Sequence, residues 1–315
     1  MRVAFLGNAP WSVPSLAALA ESDHAVALVL TREPRPAGRG NRLTPTPVAE
    51  EARRLGLPLA EIATVKAGEG LEELRRMAPD VLAVVAYGEI LPAEVLAVPS
   101  LAPVNVHFSV LPELRGAAPV QRAILEGLAA TGVTTIRMDQ GMDTGPILLH
   151  AEEAILPEDD AGSLGERLAA IGGRLLVDTV DRLAAGTLEE RPQDDALATY
   201  APKLTAEDRV IDWSEPAVEI GRRVRALSPE PGATTVFRGK VLKVLRASPG
   251  ADGSWSSTPV GDMSPGLAVV TGEGGLEIRA GDGFVGLEQV APEGRTHMTG
   301  AEFVRGYRPG GEILG

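Results

Sequence analysis

Between Asp80 and Tyr87 the chain runs Val81-Leu82-Ala83-Val84-Val85-Ala86 without one polar side chain. A strand that is apolar on both faces must be covered on both, which is the signature of a parallel sheet sandwiched between helices. Related strand candidates lie at Arg2–Leu6, Ala25–Leu30, Pro103–His107 and Val133–Met138. Helical segments separate them: Ser12 to Ala20, with Ser12 as the N-cap, and Leu71 to Met77 at helical spacing. Strands alternating with helices predict an α/β fold with a doubly wound, mostly parallel sheet. In such sheets ligands bind beyond the carboxyl ends of the strands. Gly7 at the end of the first strand is followed by Asn8 and Ala9, so the Gly-x-Gly-x-x-Gly fingerprint is missing and a nicotinamide dinucleotide is not expected.

A helix from about Ser163 to Leu183 closes this first domain, which is expected to span residues 1–186. Residues 187–206 contain Pro192, Pro202 and mixed polar side chains without periodicity and read as a linker. Residues 207–315 open with a helix from about Pro216 to Leu227 and then turn glycine-rich. Short apolar runs at Val241–Leu245, Leu267–Val270, Leu276–Ile278 and Val285–Val290 suggest a small β-barrel, although periodicity alone leaves the first of these open between helix and strand. There is no cysteine among the 315 residues, which excludes disulfides, thiolate catalysis and cysteine-ligated zinc. The apolar run before Gly7 is too short for a signal peptide, and no run approaches the roughly eighteen apolar residues of a membrane span. A cytoplasmic protein that does not enter membranes is expected.

The chemistry concentrates in Asn105-Val106-His107-Phe108-Ser109-Val110-Leu111-Pro112 and in Asp143, within Met142-Asp143-Thr144-Gly145-Pro146. Asn105 and His107 are two apart, so at a strand end they project to one side. An amide beside an imidazole is a donor pair suited to a developing oxyanion. A carboxylate arriving from elsewhere can orient the imidazole and favour its charged form. No serine or cysteine nucleophile is required, so direct group transfer is favoured over a covalent intermediate. A structural histidine satisfied at a strand end is the plainer alternative for a lone residue; the surrounding string argues for chemistry.

That string resembles the signature of the folate-dependent formyltransferases, Asn-x-His-x-Ser-x-Leu-Pro followed by a catalytic Asp. Arg115-Gly116-Ala117-Ala118-Pro119-Val120-Gln121, Gly132-Val133-Thr134 and Asp143-Thr144-Gly145 extend the likeness. Tyr200-Ala201-Pro202-Lys203-Leu204 and Ile211-Asp212-Trp213 look like the segments that open the second domain in the branch acting on an aminoacyl-tRNA. Two departures stand out. The first turn reads Gly7-Asn8-Ala9-Pro10-Trp11-Ser12-Val13-Pro14 where the family usually has Gly-Thr-Pro-x-Phe-Ala-Val-Pro, and Val110 stands where Leu is commoner.

The resemblance implies transfer of the formyl group of 10-formyltetrahydrofolate to the α-amino group of methionyl initiator tRNA, with no metal and no nicotinamide, and a monomer is expected. It implies that Asn105 holds the oxyanion, that His107 supplies charge and a proton, and that Asp143 takes the proton shed by the amine. It implies a pterin pocket lined by Ser109, Val110, Leu111 and Pro112 with Ala86, Tyr87, Gly88 and Leu91. It also implies that the second domain is an oligonucleotide-binding-like β-barrel that holds tRNA, and it settles Val241–Leu245 as a strand.

The stretch Thr31 to Arg42 places Arg32, Arg35, Arg39 and Arg42 among prolines and glycines, which reads as a basic loop unable to hold a regular helix or strand. Its likeness to the family's Arg-Pro-Ala-Gly-Arg-Gly insertion makes it a tRNA contact, with Arg39 the best match. A second candidate patch is Arg222, Lys240 and Lys243, together with Arg223, Arg225, Arg238 and Arg246. The net charge of −13 runs against a nucleic-acid partner, but global charge governs solubility while a specific site needs only a local patch. Three rivals are a formyltransferase or hydrolase acting on a sugar-nucleotide amine or water, a purine-pathway formyltransferase, and a catalytically silent RNA- or folate-binding module. The second domain argues against the purine enzyme, and the intact Asn105, His107 and Asp143 argue against the silent module.

Overall fold

The structure is a computed structural model that describes every residue except 38, 39, 41 and 251–262. Strand β1 (Arg2–Gly7) leads into α1 (Val13–Glu21) and β2 (Ala25–Arg32). A ribbon of β3 (Arg35–Ala37) and β4 (Arg42–Thr44) precedes α2 (Pro47–Arg54), β5 (Leu59–Ile62), α3 (Glu69–Met77) and β6 (Val81–Val85). There follow α4 (Ala93–Leu96), β7 (Ala102–His107), β8 (Arg115–Gly116), α5 (Pro119–Leu125), β9 (Ala130–Arg137), β10 (Ile147–Ala154) and α6 (Ala161–Ala185). The principal sheet has the order β10-β9-β7-β6-β1-β2-β5. Its pairings from β7 through β6, β1 and β2 to β5 are parallel, and β9 and β10 add on antiparallel. The all-apolar β6 is buried along its whole length, as a strand covered on both faces must be.

Packing is close where α6 meets the first turn. A Cβ on Gly165 would lie 2.2 Å from the Trp11 ring, and one on Gly173 would lie 2.8 Å from the Pro14 carbonyl oxygen. Glycine inside a helix costs roughly 0.5–1 kcal/mol relative to alanine, a cost offset here by the approach it permits. Ser12 precedes α1 but does not cap it with its side chain. Its buried hydroxyl donates instead to the Val85 carbonyl at 2.6 Å, which ties the first turn to the end of β6.

Two expectations about loops meet a different outcome. The basic stretch is not wholly irregular, since β3 and β4 pair antiparallel with Arg35 opposite Thr44 and Ala37 opposite Arg42. Pro36 is tolerated because a two-stranded ribbon consists only of edges, where a missing N–H need not break a ladder. Within residues 187–206, expected as a linker, residues 187–202 belong to the first unit and are bound to it by backbone. Arg191 and Ile147 exchange N–H···O bonds (2.9 and 2.8 Å), and β11 (Tyr200–Ala201) pairs parallel with β8.

The chain divides into two compact units, residues 1–119, 130–154 and 165–202 in one, and 120–129, 155–164 and 203–315 in the other. The second unit contains α7 (Ala217–Ala226), β12 (Ala233–Phe237), β13 (Lys240–Pro249), β14 (Ala268–Val270), β15 (Leu276–Arg279), β16 (Phe284–Pro292), β17 (Met298–Thr299) and α8 (Gly300–Tyr307). Its strands pair antiparallel in the order β12-β13-β16-β15-β14, with β17 on β16. Trp213, Ile220, Val224, Leu242, Val244, Ile278, Val290 and Phe303 are among its core residues. The Trp213 indole N–H is satisfied by the Thr235 hydroxyl at 3.0 Å. Thr299 and Glu302 form a reciprocal capping box at the start of α8.

Candidate active site

β7 ends at His107 beside the carboxyl end of β6, the position expected for ligands in such a sheet. His107 is only 6% exposed, and its Nε2–H donates to the Leu114 carbonyl at 2.9 Å. Nδ1 therefore faces Asp143, 3.6 Å from Oδ1. The Asn105 amide donates to that same Oδ1 at 3.4 Å, so both side chains of β7 converge on one carboxylate oxygen. The other oxygen, Oδ2, accepts the Gly116 backbone N–H at 2.9 Å. Gly116 adopts φ 124, and a Cβ there would lie 2.7 Å from the Ala201 carbonyl oxygen, so a side chain would remove this donor.

The loops around this point are held in sparsely populated backbone states. Ala86 (φ 42) follows β6, Leu114 (φ 57) supplies the carbonyl to His107, and Asp143 itself has φ 58. Left-handed non-glycine residues persist where their surroundings fix them, and they cluster at ligand sites.

The residues expected around a pterin divide into three sets. Ser109 and Leu111 are buried and organise the loop: the Ser109 hydroxyl donates to the Glu113 carbonyl at 2.6 Å, and the Leu111 N–H donates to the Thr134 hydroxyl at 3.1 Å. Val110, Pro112 and Ala86 are half-buried and Gly88 is exposed, so these are the members open to a ligand. Tyr87 and Leu91 pack into the core with Leu6, Leu30 and Leu82. Burial, with a smaller contribution from the Glu89 charge, pushes the Tyr87 phenol up to about 12. Asn8, the unusual residue of the first turn, donates to the Tyr87 carbonyl and accepts from the Thr31 hydroxyl (3.0 Å) and the Arg32 N–H (2.9 Å). One amide thereby joins the ends of β1, β2 and β6.

The basic residues are placed less uniformly. Arg32 is turned inward onto Glu89 (3.3 Å) and the Gly88 carbonyl (3.4 Å). Arg35 and Arg42 are exposed and fall on the same face of the β3–β4 ribbon, because directly opposed and i, i+2 residues share a face. Arg39 lies outside the described residues. In the second unit Arg222 pairs with Glu219 at 2.9 Å, Arg246 with Glu288 at 2.8 Å, and Arg223 and Arg238 with Glu215 and Glu312. Lys240 and Lys243 are three apart on β13 and so project to opposite faces. Lys240 lines a cavity with Phe237, Arg238, Arg295 and Tyr307, whereas Lys243 is exposed beyond it.

Four contributors were given no role by the sequence. The Leu114 carbonyl and the Gly116 N–H act through backbone. Gln193, in the supposed linker, donates to the carbonyls of Asp143 and Gly145, and the buried Arg115 holds Gln193. Arg115 and Gly116 lie within the Arg-Gly-Ala-Ala-Pro string, which singled them out without showing what they do.

Residues 1–180 match the formyl transferase family model and residues 203–308 its C-terminal domain model. The methionyl-tRNA formyltransferase of Acidithiobacillus ferrooxidans is 42% identical over 315 residues, covering 100% of this chain and 98% of its own. That of Streptomyces griseus is 43% identical over 317 residues, with both chains covered completely. The chain belongs to the methionyl-tRNA formyltransferases. Solved structures at lower identity share the fold. HypX from Aquifex aeolicus in complex with tetrahydrofolic acid superposes with a TM-score of 0.67 at 16% identity, covering 99% of this chain and 48% of that one. The sugar 3N-formyl transferase WlaRD gives 0.65 at 16% identity, covering 94% of this chain and 99% of its own.

Proposed function

We infer that this chain transfers the formyl group of 10-formyltetrahydrofolate to the α-amino group of methionyl initiator tRNA. Full-length likeness to methionyl-tRNA formyltransferases supports the substrates. The observation that carries the chemistry is the convergence of Asn105 Nδ2 and His107 Nδ1 on Asp143 Oδ1.

In this reading the neutral α-amine attacks the formyl carbon, a C–N bond forms, and the carbonyl π pair moves onto oxygen. The second amide hydrogen of Asn105 and an Nδ1–H of His107 stabilise that oxyanion. One such donor contributes about 2.7–4 kcal/mol of barrier reduction. Nδ1 is the nitrogen available for this, because Nε2–H is committed to the Leu114 carbonyl. Asp143 takes the proton shed by the attacking amine. Collapse of the adduct breaks the bond to N10 of the folate, which leaves with a proton supplied by His107 and replaced by the one Asp143 took from the amine, and the formylated amide remains on the tRNA. The Gly116 N–H on Oδ2 keeps the carboxylate turned toward β7 through these transfers.

Val110, Pro112, Ala86 and Gly88 offer accessible surface for a flat heteroaromatic ring, and the buried Leu111 holds the loop that carries two of them. Arg35 and Arg42 offer phosphate contacts from the ribbon, and Arg39, between them in the sequence, is assigned the same role by its likeness to the family's basic insertion. We place the activity in the cytoplasm, on a monomer. A formylation assay with purified methionyl initiator tRNA and 10-formyltetrahydrofolate tests the reading; deacylated tRNA serves as the control. Equal turnover of a sugar-nucleotide amine, or formate release without tRNA, would replace it.

A further inference from the structure

The segment between α6 and β11 carries a tie onto the loop that bears Asp143. The Gln193 amide donates to two carbonyl oxygens of that loop, Asp143 at 2.8 Å and Gly145 at 2.7 Å. Its Oε1 accepts both Nε (3.1 Å) and Nη2 (2.8 Å) of Arg115. Arg115 is 2% exposed, and its Nη2 also reaches Asp195 at 2.8 Å. The loop being held is not one the backbone would choose. Asp143 has φ 58, and a Cβ on Gly145 would lie 1.8 Å from the Arg137 carbonyl oxygen. Such a conformation has to be imposed by its surroundings.

We propose that Gln193, anchored by Arg115, is a positioning residue for formyl transfer that fixes the Asp143 carboxylate against His107 and Asn105. The proposal rests on the roles assigned above to those three residues. Only an amide meets both demands, donating to two carbonyls while accepting a guanidinium. A glutamate of the same shape would still accept from Arg115, but it would set a negative charge against the Asp143 and Gly145 carbonyls and release the loop. A displacement of about 1 Å at a reacting group can cost on the order of a hundredfold in rate.

The experiment compares wild type, Q193E, Q193A, D143N and the double variant D143N/Q193A. It measures kcat, both KM values and thermal unfolding. Each single change at Gln193 is expected to lower kcat by about ten- to a hundredfold, with both KM values within about threefold and Tm little changed. In the D143N background Q193A should add less than about twofold, since its effect passes through the carboxylate. Near-normal kcat in Q193A and Q193E would overturn the proposal. The same fold-loss in the D143N background, or a collapse of Tm in both variants, would mark Gln193 as structural and equally overturn it. Q193E preserves shape and carries the comparison if Q193A alone is unstable. Full activity of D143N would remove the role of Asp143 itself, whereas an impaired D143N beside an unimpaired Q193E would sink the positioning proposal alone.

Discussion

Nδ1 of His107 lies 3.6 Å from Oδ1 of Asp143, while Nε2 of the same ring is committed to the Leu114 carbonyl at 2.9 Å. The ring therefore cannot turn its other nitrogen to the carboxylate without losing a buried hydrogen bond. This selects one ring nitrogen, Nδ1, and one face for chemistry.

From this arrangement His107→Ala, Asn105→Ala and Asp143→Ala should each lower kcat at least about a hundredfold while changing the Kd for folate little. Because the three share one oxygen, the double variant H107A/D143A should lose far less than the product of the single losses. Steady-state kinetics at saturating substrates checks both points. Near-normal kcat in any single variant would remove that residue from the mechanism.

The donors at this site are an amide, an imidazole and a backbone N–H, and among the described residues no group of three or more His, Cys, Asp or Glu side chains could hold a metal ion. Formylation should accordingly persist after exhaustive treatment with a chelator. Activity abolished by the chelator and restored by zinc would point to a different chemistry.

Asp208 accepts a two-pronged bond from Arg122 (2.9 and 2.8 Å), and that hydrogen bond is the main cause holding its carboxyl below the usual carboxylate range, against the opposing effect of burial. A group whose folded pKa is depressed contributes stability above its unfolded pKa, near 3.9, and that contribution fades as pH falls through the folded value. Asp208→Asn should thus be less stable than wild type by about 1–3 kcal/mol at pH 7. The two unfolding curves should begin to converge below about pH 4 and meet only once pH has fallen past the depressed folded value. Thermal denaturation across a pH series measures this, and a constant offset down to acid pH would show that the carboxylate's charge contributes nothing.

Tyr87 packs in the core, so its ring rather than its hydroxyl should matter. Tyr87→Phe is expected to leave the Kd for folate within about threefold, whereas Tyr87→Ala should cost about 3–5 kcal/mol of stability, as for other large aromatic truncations. A tenfold loss of folate affinity in Tyr87→Phe would return the hydroxyl to the ligand pocket.

The parts of this molecule legible from sequence are those with local causes. β6 is readable because a strand buried on both faces is apolar throughout, and Asn105 and His107 because a period of two sets their faces. β10 is not, since this edge strand has only the short apolar run Ile147-Leu148-Leu149 and continues through exposed His150 and Glu152. The prolines around Arg35 mask the ribbon. α8 has a local start signal in Thr299-x-x-Glu302, but no apolar run beside it to draw attention to a helix. Ser12 looks like a cap, but Val85, 73 positions away, takes its hydroxyl. Gln193 is the least legible of all: it is polar, lies in a stretch without periodicity, and acts on carbonyls 48 and 50 positions earlier.

The ribbon yields the last expectation. Arg35 and Arg42 stand on one face of a two-stranded element, and Arg39 falls between them in the sequence. Guanidinium groups so presented suit phosphate oxygens and unpaired bases. Arg39→Ala, Arg35→Ala and Arg42→Ala should each raise KM for methionyl-tRNA and lower kcat/KM, with the Kd for folate nearly unchanged. Removing one arginine–phosphate pair should also make the plot of log K against log salt shallower by roughly one unit. Arg32→Ala should behave differently, because Arg32 is engaged by Glu89 and Gly88, and its loss disturbs the turn after β6 instead of the salt slope. Titration of tRNA into wild type and the four variants over a salt series, with folate binding in parallel, separates these effects. Unchanged slopes and KM values in all three ribbon variants would reduce the ribbon to solvated surface. A large loss of folate affinity in Arg39→Ala would place that side chain at the glutamate tail of the folate.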